Sequence, residues 1–156
     1  MRGSHLTQLK LTIGEHGWGV LSAGSPSGSA NVPISCVVDV VGQVVFAAVD
    51  VLRGVPERQL VWDSEGDSAT ITMTRLPDDQ VSLTMTWTSG KSATSSFAVD
   101  LSTVQPDVVL AERVLGLVDA LDPATYRAEW TDSWPTHAIG IVRQWLTDAK
   151  TRAASS

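Results

Sequence analysis

Residues 34–53 read ISCVVDVVGQVVFAAVDVLR, and the fold turns on whether this stretch is a helix, a strand pair or a membrane span. Its polar exceptions are Asp39, Gln43, Asp50 and Arg53. At about 100° per residue these four fall within a stripe roughly 80° wide, so Ile34 to Arg53 reads as an amphipathic helix with a narrow wet edge. Two aspartates inside a hydrocarbon core would cost about 2.5–3.5 kcal/mol each, which favours burial in protein over a membrane span. Ser35 is placed to cap the helix, and Gly54, followed by Pro56, to stop it. A valine-rich hairpin turning at Gly42-Gln43 is the rival, because β-branched residues favour strands. The shared helical phase of the polar residues decides for the helix.

On the C-terminal side the period changes to two. Leu60 and Trp62 mark a short strand over 59–63, and Ala69, Ile71 and Met73 alternate with Thr70, Thr72 and Thr74. After the turn Pro77-Asp78-Asp79, Val81, Leu83, Met85 and Trp87 alternate with Ser82, Thr84, Thr86 and Thr88, and a fourth strand carries Phe97 and Val99. This is an antiparallel meander with one apolar and one hydroxyl-rich face. Pro106 then reads as the first residue of a helix bearing Val109, Leu110, Val114, Leu117, Val118 and Leu121. Residues 125–130 form a helical turn, and Pro135 opens a last helix with Ala138, Ile141, Trp145 and Ala149 on one face; residues 151–156 are expected to fray.

On the N-terminal side, residues 6–13 and 18–23 read as a strand and its return across the turn 14–17. The segment GSPSGSAN at 24–31 has the composition of a flexible loop. Met1 to His5 is expected to be a disordered or expression-derived start. Strands come in runs rather than alternating with helices. The class is therefore α+β, a single domain over 1–156, with one long buried helix and two or three C-terminal helices covering one face of the sheet.

Composition narrows the function. The formal charge is −6 with no basic run, which disfavours nucleic acid. No apolar signal segment follows the start, and a lone cysteine, Cys36, suits a reducing compartment, so a cytoplasmic protein with no membrane partner is expected. Asn occurs once and Lys three times while Val, Ala, Asp, Thr and Arg abound, the residue bias of a GC-rich genome.

Each candidate for chemistry has a plainer account. Gly90-Lys91-Ser92 resembles the end of a phosphate loop, but Met85 stands where that loop needs glycine and a strand follows instead of a helix. Gly14, Gly17 and Gly19 likewise lead into a strand. Asp63, Glu65 and Asp67 imitate three calcium-loop ligands, yet Ser68 and Thr74 occupy the positions that need glycine and an acid. His5, His16 and His137 are scattered and lack paired metal spacing. Cys36 sits among valines as a buried thiol would. No catalytic set, metal site or cofactor is expected. Among six tryptophans, Trp62, Trp87 and Trp145 have core phase; Trp130 and Trp134 either line a groove with His137 or fasten the last helix to the core.

A serine-started apolar helix ending Leu52-Arg53-Gly54, a strand with Trp62 and an acidic turn, a meander, and a closing Tyr126, Trp130, Trp134-Pro135 segment follow one another in this order. In this order the chain resembles, over roughly residues 16–149, a group of small α+β proteins frequent in GC-rich bacteria. Ser68-Ala69-Thr70 departs from the aromatic or basic strand of that group. The resemblance implies the fold and no activity.

These features lead to the expectation of a non-enzymatic module, an immunity-type or regulatory partner of another protein, that binds through the sheet face at Thr72, Thr84 and Thr86 and the acidic turn at Asp63 and Glu65. A small-molecule site or enzyme pocket at Trp130, Trp134 and His137 is the alternative, and a homo-oligomer packed through the sheet is a third.

Overall fold

Two antiparallel meanders flank one helix in the chain. The computed structural model describes residues 4–14, 17–35, 38–64, 67–89, 99–130 and 133–155. Strands β1 (Gln8–Ile13), β2 (Trp18–Ser25) and β3 (Gly28–Ser35) precede α1 (Val40–Leu52). Strands β4 (Glu57–Ser64), β5 (Asp67–Leu76), β6 (Gln80–Ser89) and β7 (Val99–Pro106) follow, and then α2 (Asp107–Asp119), α3 (Pro123–Glu129) and α4 (Thr136–Ser155). The class is α+β, with a three-stranded sheet in the order β1-β2-β3 and a four-stranded one in the order β4-β5-β6-β7.

Alternation sets which face of each strand is inside. Leu9, Leu11, Leu21, Ala23, Ala30, Val32 and Ile34 are buried from the first sheet, and Trp62, Ala69, Ile71, Met73, Val81, Leu83, Met85 and Leu101 from the second. Helix α1 packs on β4 and β5, α2 on β1, β6 and β7, and α4 covers both helices from the other side. α1 is thus enclosed between sheet and helix, and only Gln43 and Phe46 within it are exposed. A helix apolar almost all round belongs in such a middle layer.

The sheets are joined where Ser4 to Leu6 runs beside β7. Val104 N–H donates to Ser4 O at 2.8 Å, and Leu6 N–H donates to Gln105 Oε1 at 3.0 Å. Gln105 Nε2 donates in turn to Val81 O at 2.9 Å, and Arg113 Nε to Leu6 O at 3.1 Å. Gln105 is fully buried, and both ends of its amide are satisfied, which is the condition for keeping it there. The C-terminal end of α1 is closed by Arg75. Its Nε donates to Val51 O at 2.8 Å and its Nη2 to Leu52 O at 3.2 Å, while Asp107 in the first turn of α2 pairs with it at 3.3 Å. One guanidinium therefore satisfies the end of one helix and meets an acid at the start of the next, where the dipole favours that acid.

Several boundaries differ from the sequence reading; β1, β2, β4 and α3 are displaced by one or two residues at an end, and four differences matter more. α1 begins at Val40, and Ile34 and Ser35 end β3, because Ile34 is the last inward residue of a strand paired with β2. Its cap is Asp39, whose carboxylate accepts from Gly42 N–H at 3.1 Å, rather than Ser35. Residues 24–31 form a hairpin in which Ser25 pairs with Gly28 across Pro26-Ser27; Ala30 and Val32 carry the inward alternation that the polar composition conceals. Pro106 ends β7 and stands one residue before α2. Helix α4 continues to Ser155, where Thr147, Thr151 and Ser155 hydroxyls each bond the carbonyl four residues back. On α4, Ile139, Val142 and Leu146 are buried with Ala138 and Ala149, and Ile141 and Trp145 sit half-buried beside them. Phe97, Cys36 and the Gly90-Lys91-Ser92 turn lie outside the described residues.

A Cβ on Gly42 would collide with the Asp39 carboxylate, whereas one on Gly116, in α2, would meet nothing within 4 Å. Gly42→Ala is expected to lower stability by about 1–2 kcal/mol through loss of the cap. Gly116→Ala should raise it by about 0.5–1 kcal/mol through helix propensity. Urea unfolding of the two variants checks both signs.

Candidate functional site

The outer face of the second sheet assembles half of the candidate residues, Thr72, Thr84, Thr86 and Asp63. Thr70 faces Thr86, Thr72 faces Thr84 and Thr74 faces Ser82 across β5 and β6, all half-exposed. Gln59 and Glu57 extend two of these rows on β4, and Ser102 and Val104 extend them on β7. Gln59 Nε2 reaches Thr72 Oγ1 at 3.5 Å and Thr74 Oγ1 donates to Glu57 Oε1 at 3.1 Å. Val61, 53% exposed, and Val104, 38% exposed, stand on the two edge strands.

The charge of this face follows from strand parity. The four strands contain two cations, Arg58 and Arg75, and both share the parity of buried Trp62 and Met73. Arg58 Nε binds Asp50 of α1 at 2.7 Å and Arg75 holds the end of α1, so neither faces outward. Asp63 lies exposed at the end of β4, opposite Ser68, and Asp67 is half-buried at the start of β5; Glu65 lies outside the described residues. At the other end of the sheet Asp78 and Asp79 both take left-handed backbone, with φ of 61° and 56°, a conformation that short acidic side chains tolerate. Asp79 O accepts from Asp107 N–H at 2.8 Å, which ties this turn to α2.

The aromatic candidates do something else. Tyr126 is fully buried and donates its hydroxyl to Asp39 Oδ1 at 2.7 Å, while accepting from Val41 N–H at 3.3 Å. Ser133 Oγ donates to Asp39 Oδ2 at 3.2 Å. Trp130 stacks beside Tyr126 with centroids 6.2 Å apart, gives its indole N–H to Val38 O, and lies on Gly19 of β2, where a Cβ would stand 2.7 Å from the ring. Trp134 meets Tyr126 edge-on at 5.4 Å. These side chains pin α3 and the start of α4 to the N-terminal end of α1.

The structure does not bring Trp130, Trp134 and His137 around one cavity. Trp130 is core. Trp134 lines a concavity of about 480 Å³ with Leu121 and Ile139, and His137 one of about 570 Å³ with Ile141 and Trp145. Trp87 is half-buried, and its indole N–H has no partner among the described residues. The described residues contain no group of three His, Cys, Asp or Glu side chains able to hold a metal. Sequence reading missed Asp39 and Tyr126 as a pair, because a contact between residues 87 positions apart leaves no local periodic signal.

Burial, and then the adjacent Asp39 carboxylate, push the Tyr126 phenol well above the ordinary tyrosine value of 10.0. The unfolded chain therefore loses this proton first as pH rises. Stability contributed here is full below about pH 10 and falls as pH climbs toward the native value. Tyr126 is the single tyrosine, so ultraviolet phenolate absorbance reports on it alone. The signal is expected only together with unfolding, and Tyr126→Phe should lose about 1–2 kcal/mol at neutral pH and flatten the alkaline limb. A reversible phenolate signal near pH 10 in folded protein would contradict the geometry.

No family model matches the chain, and no curated protein matches it in sequence.

Proposed function

We propose that this protein is a non-enzymatic binding module, of the immunity or regulatory kind, that docks a basic protein on the outer face of the β4–β7 sheet. The observation that carries this reading is a face of opposed hydroxyl pairs, without a cation among the described residues and edged by exposed Val61 and Val104. Threonine and serine are short, so immobilising them costs little rotamer entropy. The acids at Glu57, Asp63, Asp78 and Asp79 supply a negative field that speeds encounter with a cationic surface. No helix among the described residues is long and apolar enough to cross a membrane, and the lone cysteine suits a reducing compartment, which supports a place in the cytoplasm.

Co-purification of the endogenous protein, followed by mass spectrometry, identifies the partner. Thr84→Arg with Thr86→Arg places two long cations on the face, and is expected to weaken binding at least roughly tenfold while circular dichroism and the unfolding midpoint stay unchanged. Association should slow as salt is raised. A partner that tolerates both arginines refutes this reading, and so does self-association through the same face.

A further inference from the structure

Gly140 lies within α4, exposed, and a Cβ there would meet nothing within 4 Å. Neither packing nor backbone conformation requires glycine at this position, and glycine weakens a helix. What the missing side chain does is leave a low saddle. The two concavities flanking α4, of about 570 and 480 Å³, share Thr136 and Gly140 as lining residues.

The larger concavity has an apolar floor and a cation at its side. Ile141 and Trp145, both half-buried, present apolar surface. Arg53, the residue that ends α1, lines the same space, and its guanidinium makes no hydrogen bond or ion pair among the described residues. Arg58, Arg75 and Arg143 each meet an aspartate. Arg53 shares its lack of an ion-paired acid among the described residues with Arg127 and Arg152, and differs from them in standing beside both Ile141 and Trp145. The one acid that lines this concavity, Asp148, is engaged by Gln144 Nε2 at 2.9 Å. Beyond the saddle the lining turns apolar again at Leu121, Trp134 and Ile139.

From this juxtaposition we infer that the protein binds a small amphipathic carboxylate, its head on Arg53 and its apolar chain lying over Ile141 and Trp145 and across Gly140. A guanidinium receives a carboxylate through two parallel N–H donors, which sets the head group's orientation. A flexible alkyl chain fits a shallow apolar trough interrupted by a saddle better than a rigid polar ligand does. The site lies on the α4 layer, outside the sheet face of the proposed protein interaction, and does not depend on it.

Decanoate below its micellar concentration is the probe, with decyltrimethylammonium as the same chain bearing the opposite charge. Calorimetric titration of the intact protein is expected to show saturable binding of decanoate and at least roughly tenfold weaker binding of the cation. Arg53→Gln should weaken decanoate by a similar factor. Gly140→Leu should abolish binding while keeping or raising the unfolding midpoint, since it fills open space on a helix. Thr84→Arg should change nothing. Absence of saturable decanoate binding, equal binding of the two head groups, or undiminished affinity in Arg53→Gln each overturns the inference.

Discussion

The Asp39 carboxylate accepts the Gly42 N–H, the Tyr126 hydroxyl and the Ser133 hydroxyl, and the assembly of the helical layers rests on this one group. α1 has sheet on one side and α4 on the other, so water cannot be relied on to satisfy its ends. At the N-terminal end Asp39 and Tyr126 supply the partners; at the C-terminal end Arg75 does. Both solutions recruit distant chain. Tyr126 brings α3 with it, Trp130 follows onto Gly19, and Arg75 brings the start of α2 through Asp107. Satisfying a buried helix therefore also places the rest of the helices.

How much of this was legible in the sequence depends on the range of the cause. The meander was legible because the alternation of Ile71 and Met73 with Thr70 and Thr72 is a nearest-neighbour consequence of the pleat. α1 was legible as a buried helix through the phase of Gln43, Asp50 and Arg53. Asp39 shares that phase for a different reason: it is the cap, one residue outside the helix. At the start of the apolar run Ile34 and Ser35 belong to β3, because Ile34 is equally at home at the end of a strand. The hairpin at 24–31 was hidden by glycine and serine, which leave alternation one inward mark inside the segment, Ala30, continued by Val32 just beyond it.

The candidate surfaces divide in the same way. The hydroxyl face was visible because it is the complement of the core face. That its described residues carry no cation follows from the same parity, which sets Arg58 with Trp62 and Arg75 with Met73; what the sequence did not show is which acids they meet, Asp50 on α1 and Asp107 on α2. Trp130 and Trp134 looked alike in sequence and ended differently, the first under β2 and the second at a groove, since only tertiary packing distinguishes them. The two surfaces that result are chemically opposite. The sheet face is broad and hydroxylated, with no cation among the described residues; the α4 side sets Arg53 and Asp148 beside the apolar Ile141 and Trp145.

Native-state hydrogen exchange at Val41 and Gly42 tests the central claim most directly. These amides sit in the first turn, where an ordinary helix leaves N–H groups open to solvent and rapid exchange. Held by Tyr126 and Asp39 inside the protein, they should exchange only through global unfolding, with the same free energy as Val45 in the middle of α1. Exchange at Gly42 and Val41 far faster than at Val45 would show that the buried end is not closed, and the account would fail.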